Sequence, residues 1–259
     1  MKAMLLAAGL GTRLRPLTNN WPKCLMPIKG RPLLEYWLSN FKKQNIDEVL
    51  INMHHHSEIV KEFIQQPQFT GWVKSVYEEQ LMGTAGTLRK NANFFYNNSI
   101  IIAHADNWCC CDFKDFIAFH NFSRPEGTLI TMMTFDCSNP SDCGIVELDD
   151  QGIVVDFHEK IENPPGHLAN AAVYIIEPEV LKWIEKHTNN NDFSTQVLPY
   201  FVGKIATWKN NDIHKDIGTI GMLKDAQLDN CDLPFWMTNN SWQEQFTKHL
   251  IHKEIKEII

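Results

Sequence analysis

Over its first hundred residues the chain alternates short apolar runs with amphipathic stretches, and that rhythm leaves few folds open. Lys2 to Ala7 is a compact apolar run closed by Gly9 and Gly11, which reads as a buried strand. Pro32 opens a helix with Leu33, Leu34, Trp37, Leu38 and Phe41 on one face. Glu48 to Met53 reads as a second strand, Glu58 to Ile64 as a helix and Val73 to Tyr77 as a third strand. A helix follows from about Thr87, and Ser99 to Ala103 is a fourth buried strand. Strands joined by helices run parallel, with helices covering both faces of the sheet. The expected class is α/β with a predominantly parallel central sheet.

The rhythm changes after residue 125. Thr128 to Thr134 reads as a strand. Ile145 to Leu148 and Ile153 to Phe157 flank the turn Asp149-Asp150-Gln151-Gly152 and read as a hairpin. Ala171 to Ile176 is another strand, and helices are expected near 178–186, near 194–202 and through Met222 and Ala226. From about Cys231 the tail is Trp- and Asn-rich, then helical with Trp242, Phe246, Leu250 and Ile255. No repeat or Gly/Ser linker interrupts the chain. We expect a catalytic domain over 1–228 and a short helical C-terminal extension over 229–259, packed on the domain's own core or on a second copy in a homo-oligomer.

Of the 259 residues 44% are hydrophobic and 21% charged, the balance of a globular chain with a real core. No apolar run approaches the ~18 residues of a membrane span. The start resembles a signal peptide only until Gly9, Arg13 and Arg15 break it. The seven cysteines, three of them adjacent at 109–111, form no regular framework and no CxxC pair. They are expected to be reduced thiols, in a cytoplasmic protein. The net charge of −7 argues against a nucleic-acid binder. Yet residues 1–34 hold six basic residues (Lys2, Arg13, Arg15, Lys23, Lys29, Arg31) and no acidic one. An acidic protein with positive charge gathered in one segment points to a small, highly charged anion.

The segment that carries this charge is Ala8-Gly9-Leu10-Gly11-Thr12-Arg13-Leu14, then Pro16. Glycines let main-chain N–H groups approach a phosphate. No Gly-Lys-Ser/Thr follows, so this is not a Walker A loop. Leu14 takes the third glycine position, so it is not a dinucleotide fingerprint. Arg13 can grip phosphate oxygens as a fork and Lys23 can act as a point charge.

Leu6-Ala7-Ala8-Gly9-Leu10-Gly11-Thr12-Arg13-Leu14-Arg15-Pro16-Leu17-Thr18, followed by Pro22-Lys23, resembles the signature of the sugar-1-phosphate nucleotidyltransferases, and the resemblance runs from residue 1 to about 228. It implies a Rossmann-like three-layer fold. It also implies that Ala8, Gly9, Gly11, Thr12, Arg13 and Lys23 hold a nucleoside triphosphate. Gln80-Leu81-Met82-Gly83-Thr84-Ala85-Gly86-Thr87 is similar to the family's base-recognition loop, with Gln80, Gly83 and Thr84 as nucleotide contacts and main-chain amides available to the base. Asp106, in Ala105-Asp106-Asn107, and Asp216, in Lys215-Asp216-Ile217-Gly218-Thr219, resemble its metal carboxylates. Two carboxylates with phosphate oxygens suit Mg²⁺. Gly144, Glu159, Lys160 and Asn170 match its sugar-phosphate residues, Lys160 on the phosphate and Glu159 on a hydroxyl. The family usually has Gly-Asp where this chain has Ala105-Asp106, and Gly where Ala172 stands. The added methyl at 172 is expected to narrow the sugar pocket.

His54-His55-His56 does not read as a metal site, because consecutive strand side chains alternate in direction. No left-handed β-helix hexapeptide repeat follows residue 230, so no attached acetyltransferase is expected. The expected activity is Mg²⁺-dependent transfer of a nucleotidyl group from an NTP to a sugar 1-phosphate. Arg13, Lys23 and Lys160 are the catalytic residues, and GTP with mannose 1-phosphate is the first choice. The alternatives are uridylyl or thymidylyl transfer to another sugar 1-phosphate, or a non-catalytic regulatory subunit that binds nucleotide sugars. Neither a nucleic acid nor a membrane is expected as a partner.

Overall fold

The computed structural model describes residues 1–236 and 240–258. The chain is mixed α/β with a mainly parallel central sheet, as expected. It divides into two compact units that interleave along the sequence.

The first unit comprises Met1–Met4, Met82–Ala103 and Cys111–Asp212. The long strand Leu168–Ile176 runs antiparallel to Ile100–His104, to Ile130–Asp136 and, at one position, to Gly144–Leu148. Gly144–Leu148 and Val154–Glu159 form the expected hairpin. Asp149 closes its turn, its Oδ1 accepting from the amides of Gln151 and Ile153 at 2.9 Å each. Ile205–Lys209 pairs parallel with Ile130–Asp136. The helix expected near 194–202 is instead a short helix, Phe193–Gln196, and a 3-10 turn, Leu198–Phe201. Pro199 lacks the amide that would carry one helix through. The helix expected from about Thr87 starts earlier, at Thr84, because Gly83 takes up the entry turn at φ 76°.

The second unit comprises Leu5–Leu81, His104–Cys110 and Ile213–Ile259. Val49–Met53, buried at every position, pairs parallel with Val73–Tyr77. The crossover between them holds the helix Ser57–Ile64, which buries Val60, Phe63 and Ile64. The helix Leu33–Lys43 buries the face that its apolar spacing predicts, and Lys42 and Lys43 sit in its last turn, where they complement the helix dipole. A short ribbon joins segments distant in sequence. Asn107–Cys110 pairs antiparallel with Ile213–Asp216, with Asn107 opposite Asp216 and Cys110 opposite Ile213.

The tail packs on its own unit. Phe246 stacks on Trp21 at 5.8 Å between ring centroids, and Trp242 meets Phe63 edge-on at 4.9 Å. It forms two helices, Ser241–Lys248 and Leu250–Ile258, where one was expected. His249 is extended, and its Nδ1 accepts from the Ile251 amide. The second helix therefore restarts in a new phase. Ile251 and Ile255 turn inward and Leu250 is left exposed.

The expectation that all cysteines are reduced also fails. Cys110 and Cys231 form a disulfide across 121 residues of sequence, while Cys24, Cys109, Cys111, Cys137 and Cys143 are not disulfide-bonded. The pairing exists because the ribbon presents Cys110 to the tail, a proximity no local spacing encodes. Among the described residues, no helix is long and apolar enough to cross a membrane.

Candidate active site

In the second unit the glycine loop leaves the buried strand Lys2–Leu6. Its entry is fixed by a buried relay: Asn52 Oδ1 accepts from the Ala7 amide at 2.8 Å, and Asn52 Nδ2 donates to Glu78 Oε1 at 3.0 Å. Gly11 stands at φ 63°, and a Cβ there would lie 2.9 Å from Thr18 Cγ2 and 3.2 Å from Lys23 Cβ. Both the conformation and the space require glycine. Thr18 braces the loop by donating its hydroxyl to the Gly11 carbonyl at 2.8 Å. His55 and His56 in turn approach the Thr18 carbonyl through Nε2 at 3.3 and 3.2 Å, and His54 Nδ1 approaches the Glu78 carbonyl at 2.8 Å. The histidine triplet thus serves main-chain carbonyls.

Four charged side chains converge beside this loop. Lys23, almost fully buried on a 3-10 turn, donates from Nζ to Asp106 Oδ2 at 2.9 Å and to Asp216 Oδ1 at 2.6 Å. Arg13, on an exposed turn, donates to the other Asp216 oxygen at 2.6 Å. Asp106 immediately precedes one strand of the ribbon and Asp216 ends the other, opposite Asn107. That register brings the two carboxylates onto one ammonium. Gly218 lets this happen, since a Cβ there would lie 2.8 Å from both Arg13 Nη2 and Asp216 Oδ2. Burial alone would lower the Lys23 pKa, but the Asp106 and Asp216 carboxylates outweigh it and hold the ammonium above its ordinary value. Burial would raise Asp216, yet Lys23 and Arg13 hold its carboxyl below the usual range. Of the basic residues that suggested an anion site, Arg13 and Lys23 meet here. Arg31 is committed to buried Glu35, and Lys2 to the Phe94 carbonyl. Ala8 is buried, whereas Gly9, Thr12 and Gln80 are exposed.

In the first unit, Gly83 and Thr84 open the helix Thr84–Lys90 against a loop around Asn191. A Cβ on Gly83 would collide with the Asn191 carbonyl oxygen. That same oxygen accepts from the amides of Ala85 at 2.8 Å and Gly86 at 3.2 Å. Two of the amides expected to serve a base are therefore engaged. Thr84 Oγ1 accepts from the Phe193 amide at 2.6 Å, and Arg89 Nη1 donates to the Asn190 carbonyl at 3.0 Å. Asn191 and Arg89 were missed because nothing in their local sequence marks a loop folded onto another.

The expected sugar-phosphate residues share this unit. Gly144 and Glu159 are register partners across the hairpin. A Cβ on Gly144 would lie 2.6 Å from Glu159 Oε2 and 2.8 Å from the Phe157 ring, so only glycine lets the carboxylate lie across it. Lys160 has φ 50°; its amide donates to the Cys143 carbonyl, and its Nζ lies 3.7 Å from Glu159 Oε1 on a largely exposed side chain. Asn170 is fixed at both ends of its amide. Nδ2 donates to the Tyr174 hydroxyl at 2.7 Å, and Oδ1 accepts from the Ala172 amide at 2.9 Å. Burial pushes the Tyr174 hydroxyl up to about 12, against hydrogen bonds from Ser194 and Asn170, and the Glu159 carboxylate adds to the rise. Ala172 has φ 53°, a conformation that costs an L-residue about 1–2 kcal/mol.

Against known proteins, residues 2–232 match the family described as nucleotidyl transferase. The chain belongs to the nucleotidyl transferase family. A D-glycero-α-D-manno-heptose 1-phosphate guanylyltransferase of Campylobacter jejuni is 29% identical over 76% of this chain and 80% of its own length. A UTP–glucose-1-phosphate uridylyltransferase of Synechocystis is 30% identical over 71% of this chain and 51% of its own. The chain spans about half the length of most curated relatives it matches. Among solved structures, HddC from Yersinia pseudotuberculosis superposes with a TM-score of 0.72 at 22% identity, covering 88% of this chain and 98% of its own. That likeness carries the fold. In this family member, the glycine loop, Arg13, Lys23, Asp106 and Asp216 lie together in the second unit, and Gly83, Thr84, Gly144, Glu159, Lys160 and Asn170 lie in the first.

Proposed function

We propose that the protein transfers a nucleotidyl group from an NTP to a sugar 1-phosphate, forming an NDP-sugar and pyrophosphate, with GTP and mannose 1-phosphate as the substrates. The observation that carries this reading is the junction of Lys23 Nζ with both Asp106 and Asp216 beside a glycine loop. It offers cations for a triphosphate and oxygen donors for a metal in one place.

An oxygen of the sugar phosphate attacks the α-phosphorus while the bond to the bridging oxygen of the β-phosphate breaks, and pyrophosphate leaves in line. The attacking oxygen is already anionic, so no general base is required. Catalysis is alignment and neutralisation of charge. Arg13 and Lys23 would neutralise the triphosphate and the departing pyrophosphate. Lys160 would hold the sugar phosphate, with Glu159 and Asn170 on sugar hydroxyls. Asp106 and Asp216 fit a divalent cation: they are partly exposed carboxylates, converge on one positive charge, and are hard oxygen donors of the kind Mg²⁺ prefers. Bound there, Mg²⁺ would neutralise phosphate charge. The choice of guanine and mannose is supported by guanylyltransferases among the relatives. A cytoplasmic site of action loses its cysteine argument at the Cys110–Cys231 disulfide.

The reverse reaction tests the reading. Incubation with GDP-mannose, pyrophosphate and Mg²⁺ should release GTP and mannose 1-phosphate. Failure to form any NTP from a panel of NDP-sugars would contradict it.

A further inference from the structure

Residue 172 joins a strained backbone to Asn170, one of the residues proposed above for a sugar hydroxyl. Ala172 stands in the left-handed region at φ 53°, where the pairing of Leu168–Ile176 with Ile130–Asp136 shifts register between Asn170 and Tyr174. Burial alternates along this strand: Ala169, Ala171 and Val173 are buried, while Leu168, Asn170 and Ala172 stay partly accessible. Ala172 and Asn170 are thus both partly accessible, and the Ala172 N–H donates to Asn170 Oδ1 at 2.9 Å. The Tyr174 hydroxyl, within reach of the Glu159 charge, holds the other end of that amide.

Glycine enters this conformation freely, whereas alanine must crowd its Cβ against the neighbouring carbonyl. Strained residues of this kind persist where the surroundings over-determine them, and they gather at ligand sites. Asn170 cannot swing away from the methyl, because both ends of its amide are tied.

Taking nucleotidyl transfer to a sugar 1-phosphate as the function, we propose that Ala172 is a specificity-determining residue for the sugar. Its methyl fills the space beside the hydroxyl that Asn170 binds. It excludes hexose 1-phosphates that carry a larger or oppositely oriented substituent at the adjoining ring carbon. One methylene of difference in a pocket is worth about 10- to 200-fold in discrimination, and the effect expected here lies at the low end.

The test is kcat/KM for a panel of hexose 1-phosphate epimers and deoxy sugars, measured on the wild type, Ala172→Gly and Ala172→Asn. Glycine removes the methyl and the strain. Asparagine tolerates the left-handed backbone but adds bulk, which separates the size of the side chain from its conformation. Ala172→Gly should narrow the ratio between the best and the disfavoured sugars by about tenfold, mainly by raising the latter, with the NTP KM unchanged. Ala172→Asn should lower kcat/KM for the best sugar by at least about tenfold while keeping the wild-type melting temperature. Wild-type ratios in both variants, or an equal change for every sugar in Ala172→Gly, would overturn the role of Ala172 and leave the function standing. A wild type silent on every sugar 1-phosphate would overturn the function and this role together.

Discussion

Replacing Lys23 with methionine keeps an apolar stem of similar length and removes the ammonium that Asp106 and Asp216 share. The two carboxylate oxygens lie 2.9 and 2.6 Å from that nitrogen, so they are at most about 5.5 Å apart. At an effective dielectric of about 20, two unit charges at that separation repel by about 3 kcal/mol. The carboxylate side chains are 27% and 44% exposed, and Arg13 still holds Asp216. Solvent screening then reduces the net loss of stability to about 1–2 kcal/mol. With a urea slope near 3 kcal/mol/M for a chain of this size, the midpoint should fall by about 0.5 M. The gap should narrow in 1 M salt, where the screening length is about 3 Å. Turnover should fall by about 10²-fold or more, because a charge contact to the leaving group is lost. Equilibrium urea unfolding at low and high salt, with steady-state kinetics, measures all three. A variant with the wild-type midpoint at low salt and more than a tenth of wild-type turnover would refute the reasoning.

Arg13→Ala should lower kcat by about 10²-fold with little change in urea midpoint, since the side chain is largely exposed; steady-state kinetics and unfolding on the same preparation decide it. Gly144→Ala should raise the KM for sugar 1-phosphate at least about tenfold and leave the NTP KM unchanged, because its Cβ displaces Glu159, and KM values measured for each substrate separately check it. His120 is buried and takes a hydrogen bond from Arg124 on Nε2, and burial with that guanidinium pushes it down to about 4. Between pH 6.5 and 4 the unfolded chain binds a proton that the folded ring refuses. Stability should therefore fall across that window by on the order of 2–3 kcal/mol, and His120→Gln should flatten that limb of a pH series of urea melts.

Local pattern made much of this protein legible. The strand Lys2–Leu6, the glycine loop and the helix Leu33–Lys43 are written in contiguous residues, because burial on both faces, tight turns and an apolar helical stripe leave contiguous marks. Asp106 and Asp216 were found as single residues by resemblance. What joins them, the register of Asn107–Cys110 against Ile213–Asp216, was not legible, since four-residue ribbons carry too little periodicity to announce a partner distant in sequence. The Cys110–Cys231 disulfide was hidden for the same reason. Asn191 acts on the Gly83 loop through a main-chain carbonyl, which every residue possesses. The phase of the last helix depends on His249 accepting from the Ile251 amide, so Ile251 is buried while Leu250, named with the apolar residues of the tail, is exposed. Gly218 was quoted with its motif, but its need to be glycine became visible only when Arg13 and Asp216 closed around it.

Pyrophosphate release in the presence of Mg²⁺, with four NTPs crossed against a panel of sugar 1-phosphates, tests the central claim most directly. The account predicts release with one nucleotide and one sugar 1-phosphate above all others, GTP with mannose 1-phosphate first, and an equal amount of NDP-sugar. No release in any combination, from protein that still binds an NTP, would contradict it.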